Sequence, residues 1–94
     1  AAGDFAHAEQ VLEQITRARP DHGGSWAMLG ECQLHLGKHE LALAALERAD
    51  TLDPGDFDTL LALAQAYRRS GDGGRALDAA RRALGCARPE WSSR

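Results

Sequence analysis

The chain has 94 residues, enough for one small domain, and its formal net charge of −3 argues against a dedicated nucleic-acid-binding surface. Hydrophobic residues make up 44% of it, which is enough for a globular core, but aromatic residues make up only 5%. Val11 and Ile15 are the only valine and isoleucine, so the composition predicts helices and no strands. No apolar run approaches the ~20 residues of a membrane span, and no membrane partner is expected.

Five helices are predicted, in chain order, from the 3.6-residue spacing of apolar side chains and from the turn residues between them. They span residues 4–18, 24–36, 39–52, 57–70 and 73–86. Asp4 and Asp72 each follow a glycine and are expected to be N-caps, whereas Lys38 cannot cap the middle helix in that way. Two adjacent glycines leave the start of the second helix open, with Ser25 as the alternative cap.

The sequence repeats itself with a period of 34 residues. Gly3, Gly37 and Gly71 superpose at this shift, and each lies where a turn past a helix end favours a left-handed residue. Gly30 lies inside a predicted helix, where glycine costs roughly 1 kcal/mol relative to alanine. Its presence, together with the small Ala42, predicts that a neighbouring helix approaches too closely for a side chain.

The recurring residues resemble the tetratricopeptide repeat, which combines a large residue, a leucine next to a small residue, an aromatic residue, a turn glycine, alanines around a bulky residue, and a closing proline. The middle repeat carries Trp26, Leu29, Gly30, Gly37, Ala42, Leu46, Ala49 and Pro54. The last repeat carries Leu60, Leu63, Ala64, Tyr67, Gly71, Ala76, Ala80 and Ala83. The chain departs from the family pattern at Gln33 in place of the aromatic residue, at Ala80 in place of a bulky one, and at Ile15 in place of an alanine.

The resemblance implies an all-α fold, an α-α superhelix (right-handed solenoid) of antiparallel helix pairs with about two and a half repeats. Residues 1–94 would form a single tetratricopeptide-repeat fragment, in which residues 3–20 are the second helix of a partial repeat and residues 23–56 and 57–90 are full repeats. It also implies a protein-protein interaction scaffold, in which the first helices of successive repeats line a concave groove that binds a partner peptide or helix.

The positions that would line this groove follow from the resemblance and from the helical period. They are Ala27, Met28, Glu31, Leu34, His35, Leu61, Ala62, Gln65, Arg68 and Arg69. An apolar floor with Arg68 and Arg69 at one end suggests a short apolar and acidic ligand. The family's clamp for a C-terminal carboxylate uses lysine and asparagine on the groove helices. Ala27, Glu31 and Ala62 occupy the matching places here, so this clamp is not expected.

Catalytic and metal-binding chemistry is not expected. Cys32 and His35 are neighbours on a helix, but no oxyanion donor or orienting third group accompanies them. Glu31, His35 and His39 lack a fourth metal ligand. We therefore expect no enzyme activity and no cofactor. The alternative function is a substrate-presenting repeat region of a larger enzyme whose catalytic domain lies outside this sequence.

Three further expectations concern the environment and assembly of the chain. Cys32 and Cys86 fall on different predicted helices at opposite helix ends, so no disulfide is expected. A reducing compartment, with the cytoplasm favoured, agrees with this use of cysteine. A homodimer through exposed repeat ends is possible through Phe5, Val11 or Trp91.

Overall fold

The computed structural model describes residues 2–87, with side chains for residues 4–85. Five helices run through this range: α1 (Ala2–Ala18), α2 (Gly23–His35), α3 (His39–Leu52), α4 (Phe57–Arg69) and α5 (Gly73–Ala87). The described residues contain no strand. The predicted all-α fold is confirmed, and the predicted helix ends differ from the observed ends by two residues at most. The side chains of Cys86 and Trp91 lie outside the described part of the chain.

The turns that follow α2 and α4 are built in the same way. Gly37 and Gly71 have φ angles of 80° and 90°, so both adopt the left-handed conformation that the sequence predicted. In each turn the amide after the glycine donates back to a carbonyl near the helix end at 2.8 Å. The carboxylate of Asp72 then accepts from the Arg75 amide at 3.1 Å and caps α5 as predicted, whereas Lys38 makes no side-chain cap bond.

The beginnings of the first two helices differ from the prediction. Gly3 and Asp4 lie inside α1, so the turn and the cap that were predicted there are wrong, because the helix already includes Ala2. The alternative cap Ser25 is also wrong. His22 caps α2, and its Nδ1 atom accepts a hydrogen bond from the Ser25 amide at 3.2 Å. An imidazole nitrogen therefore satisfies one of the free amides of that helix end.

The helices form a stack of antiparallel hairpins. Each helix packs against the next one in the chain, and α2 also contacts α4. The larger core cluster comprises Leu34, Ala42, Leu46, Leu60, Ala62, Leu63, Ala66, Ala79 and Ala83. Because these residues come from α2, α3, α4 and α5, one continuous core joins both full repeats, as the predicted α-α superhelix requires.

Helices α2 and α3 approach each other closely at Gly30 of α2. A Cβ atom built on Gly30 would lie 2.5 Å from Cγ of Leu46 and 3.3 Å from the carbonyl oxygen of Ala42, both on α3. Ala42 and Leu46 are themselves fully buried. The predicted packing reason for this glycine is confirmed, since α3 occupies the space that a side chain would need.

We expect Gly30→Ala to lower the free energy of unfolding by about 1–3 kcal/mol through overpacking, although alanine is the better helix former. Gly85→Ala is the matched control, because a Cβ atom there meets no atom within 4 Å. It should raise stability by about 0.5–1 kcal/mol. Urea titrations of both variants measure the effect, and a stabilised Gly30→Ala protein would contradict the packing argument.

One face of α1 is exposed. Val11 is 43% and Ile15 is 37% exposed, whereas Ala45 and Ala49, their equivalents 34 residues later, are 3% and 2% exposed. Exposure of Val11 was expected for a repeat end, but Ile15, which takes the place of a packed alanine of the repeat, is not packed in that way. The reason is that α2 covers this face of α3, and no described helix takes that place on α1.

A buried carboxylate joins α1 to the turn between α2 and α3. Glu9 is 6% exposed, and its carboxylate accepts from Nζ of Lys38 at 2.8 Å and from Nε2 of Gln33 at 3.3 Å. The hydrogen bond from Lys38 is the main cause that holds the pKa of Glu9 below its ordinary value. Gln33, which departs from the family pattern, is thus the donor that connects α2 to this carboxylate.

We expect Glu9→Gln to destabilise the fold by about 1–2 kcal/mol at pH 7, because the charge-assisted bond to Lys38 is lost. A lowered pKa means that the contribution is complete above the pKa of a free glutamate, about 4.3, and disappears as the pH falls through the lowered pKa. Urea titrations at neutral and acidic pH measure this difference. Glu13→Gln, one turn along α1, is the control and should change little. If the difference in the free energy of unfolding between Glu9→Gln and the unaltered chain persisted at low pH, the charge argument would be contradicted.

Candidate functional site

A groove lies between α2 and α4, which run parallel because each is antiparallel to α3. Its volume is about 360 Å³. It is lined by Glu31, Leu34, His35, Asp58, Leu61, Ala62, Gln65 and Arg69. The 3.6-residue period explains this arrangement, since the lining positions of each helix recur every three or four residues and therefore share one face.

Seven of the ten residues predicted to line the groove lie around this pocket. Ala27, Met28 and Arg68 do not line it. Arg68 instead borders a second pocket between α4 and α5, which includes Leu77 and shares Leu61 and Gln65 with the groove. Asp58 lines the groove but was missed by the sequence analysis. Its position one turn before Leu61, on the same face of α4, was the signal that would have found it.

The groove carries opposite charges at its two ends. Glu31 and Asp58 lie toward the beginning of α4, whereas His35 and Arg69 are the last residues of their helices. Burial, followed by the negative charge of Asp58, raises the pKa of Glu31 above its ordinary value. The positive character of His35, one helical turn later on α2, acts on the pKa of Glu31 in the opposite direction.

The basic end is held in place by an aromatic contact from α1. The rings of Phe5 and His35 stack with centroids 4.3 Å apart and an angle of 15° between their planes. The stack fixes His35 at the edge of the groove and ties the partial repeat to the first full repeat. Phe5 was expected to contribute to a dimer contact, and here it contacts a groove residue of its own chain.

Cys32 lies on α2, as His35 does, and its side chain is partly buried. Burial first, and then the charges of Glu31 and Glu9, raise the pKa of its thiol, which keeps it protonated at neutral pH and poorly nucleophilic. No group of three His, Cys, Asp or Glu side chains suited to a metal ion occurs among the described residues. None of the described helices has both the length and the apolar character needed to cross a bilayer.

These features define a helical-repeat scaffold with an open groove between α2 and α4. Two family models, both described as tetratricopeptide repeat, match residues 1–57 and 34–92. The chain belongs to the tetratricopeptide repeat family. Such repeats are typically non-catalytic interaction modules, and the chain is a protein-protein interaction scaffold. The matched proteins do not favour the alternative of a substrate-presenting region of an enzyme.

Two kinds of relative support this assignment. The peroxisomal targeting signal receptor of Yarrowia lipolytica is 32% identical over 69 residues, and that of Komagataella phaffii is 33% identical over 67 residues. The matches cover 73% and 71% of this chain, which spans only 12% of the length of either receptor. Two solved structures, MamA MSR-1 and MamA AMB-1, share the fold with TM-scores of 0.84 and 0.85 at 22% identity. Each of them matches 93% of this chain, which covers 50% and 52% of the respective MamA chains.

We expect Glu31→Gln to stabilise the folded protein slightly at pH 7, by about 0.5 kcal/mol or less, because Glu31 is exposed to solvent screening. A raised carboxyl pKa means that the ionised form costs stability above that pKa, and that the cost is absent below the pKa of a free glutamate. Thermal unfolding at pH 7 and pH 3.5 therefore tests whether Glu31→Gln is more stable than the unaltered chain at neutral pH and whether this difference disappears at acidic pH. Glu40→Gln, in the first turn of α3, should give no gain, because a negative charge is favourable there.

Proposed function

We propose that the groove between α2 and α4 binds a short segment of a partner protein. The groove is the place where two parallel helices leave apolar and charged side chains open to solvent together. Leu61 is 39% exposed in the middle of it, whereas Leu34 and Ala62 are each 5% exposed and form its buried floor. An exposed leucine above an apolar floor and between charged ends suits a peptide with mixed apolar and charged side chains.

An extended segment suits the groove better than a helix does. The backbone amides and carbonyls of an extended segment are free to bond with the polar side chains that line the groove, whereas a helix uses these groups internally. The receptors that resemble this chain are named for a targeting signal. Their names support a short peptide segment as the kind of ligand, and the partner protein itself is a matter for experiment.

The test is a selection of random seven-residue peptides, displayed on phage, against the full chain. Peptides selected on the unaltered chain should bind Leu61→Arg about tenfold more weakly, because the change removes the apolar contact at the centre of the groove and fills that space with a longer side chain. Leu84→Arg is the matched control: Leu84 is 64% exposed on α5, outside the groove, and the same change there should leave binding unaltered. Circular dichroism verifies that both variants are folded. Equal binding to the two variants would refute the proposed site.

A further inference from the structure

We infer that the segment bound by the groove is bipolar, with a basic side chain at the Glu31 and Asp58 end and an acidic side chain about five residues away at the Arg69 end. This inference rests on the proposed function and adds the charge pattern of the partner. The sequence alone suggested an apolar and acidic ligand, because it located the arginines but not Asp58. The structure adds the second charged end.

The acidic end forms no ion pair, although His35, one helical turn after Glu31 on α2, partly offsets the charge of Glu31. Among the ion pairs between described residues, none involves Glu31 or Asp58, and neither carboxylate has a basic nitrogen within 4.0 Å. Burial and the neighbouring carboxylate of Asp58 both disfavour the charged form of Glu31. A lysine or arginine side chain placed between the two carboxylates would relieve this repulsion and gain two charge-assisted hydrogen bonds.

At the basic end of the groove, the charge available to a partner is positive. Arg69 is the last residue of α4, and among the described residues it forms no ion pair with a carboxylate. Its guanidinium group lines the same groove as Gln65, one helical turn earlier. A guanidinium group binds a carboxylate through two parallel hydrogen bonds. We therefore assign an aspartate or glutamate side chain of the segment to this end.

The helix geometry sets the spacing between the two charges of the partner. Asp58 and Arg69 are eleven positions apart on α4, which corresponds to about 16 Å at the helical rise of about 1.5 Å per residue. An extended chain advances about 3.3 Å per residue, so the same distance is covered by about five residues. Leu61 lies between the two ends, and an apolar residue in the middle of the segment would contact it.

Two neighbouring arginines provide a matched pair of variants for the test. Arg69 lines the groove, whereas Arg68 faces the pocket between α4 and α5. For peptides selected on the unaltered chain and then synthesised with an amidated C-terminus, Arg69→Glu should weaken binding at least roughly fivefold at low salt, and less at high salt. Arg68→Glu should change binding less than twofold.

The selection itself reports the charge pattern of the bound peptides. The carboxyl end of each displayed peptide is fused to the coat protein, so no free C-terminal carboxylate is present. On the unaltered chain, the enriched peptides should carry a basic and an acidic residue separated by about five positions. On Arg69→Glu, peptides with basic residues at both ends should be enriched instead. On Glu31→Lys with Asp58→Lys, acidic residues at both ends should be enriched.

The outcomes separate this inference from the function on which it rests. If the enriched peptides lose binding to Leu61→Arg but show no preferred charge pattern, the groove binds peptides and the bipolar inference is overturned. The bipolar inference is also overturned if Arg68→Glu weakens binding as much as Arg69→Glu does. If no enriched peptide is sensitive to Leu61→Arg, the proposed function itself fails, and the inference fails with it.

Discussion

The fold depends on the absence of a side chain at one point, where Gly30 of α2 meets Leu46 of α3. Any Cβ atom at that position would overlap the leucine, so the distance between the two helices is set by backbone and leucine in contact. That distance lets Ala42, Ala45 and Ala49 become nearly inaccessible to solvent beneath α2. Small residues thus convert two weakly apolar helices into a tight hairpin, because close packing brings many dispersion contacts.

The two joints between the second helix of one repeat and the first helix of the next use the same donor position but different chemistry. At the later joint, the Tyr67 hydroxyl donates to Glu47, and burial together with this bond raises the pKa of Tyr67 to about 12. Arg82 pairs there with Asp50 through two bonds of 3.1 Å. At the earlier joint, Gln33 replaces the tyrosine and bonds to the buried carboxylate of Glu9. A carboxylate acceptor is kept in both, although the donor group changes and the acceptor lies at a different position on its helix.

The hairpins and joints together determine the shape and charge of the groove. Since α3 holds α2 and α4 parallel and in contact, residues near the beginning of α4 face the middle of α2. Glu31 and Asp58 come together for this reason, although 27 positions separate them in the sequence. Arg69 lies at the other end of the same face. The lining of the groove is therefore polar along its length, whereas its floor is part of the core. Because the floor belongs to the core, the shape of the groove depends on how the repeats pack.

The sequence by itself determined the helices, the 34-residue period, the left-handed Gly37 and Gly71, and the need for a small residue at Gly30. These features depend on local backbone preferences and on the 3.6-residue period, which neighbouring residues specify. Only the tertiary structure decided that Arg69 rather than Arg68 lines the groove, that Asp58 joins Glu31, and that His22 caps α2. It also exposed Ile15, because burial depends on whether a second helix covers a face, and the helical period defines the face but not what lies against it.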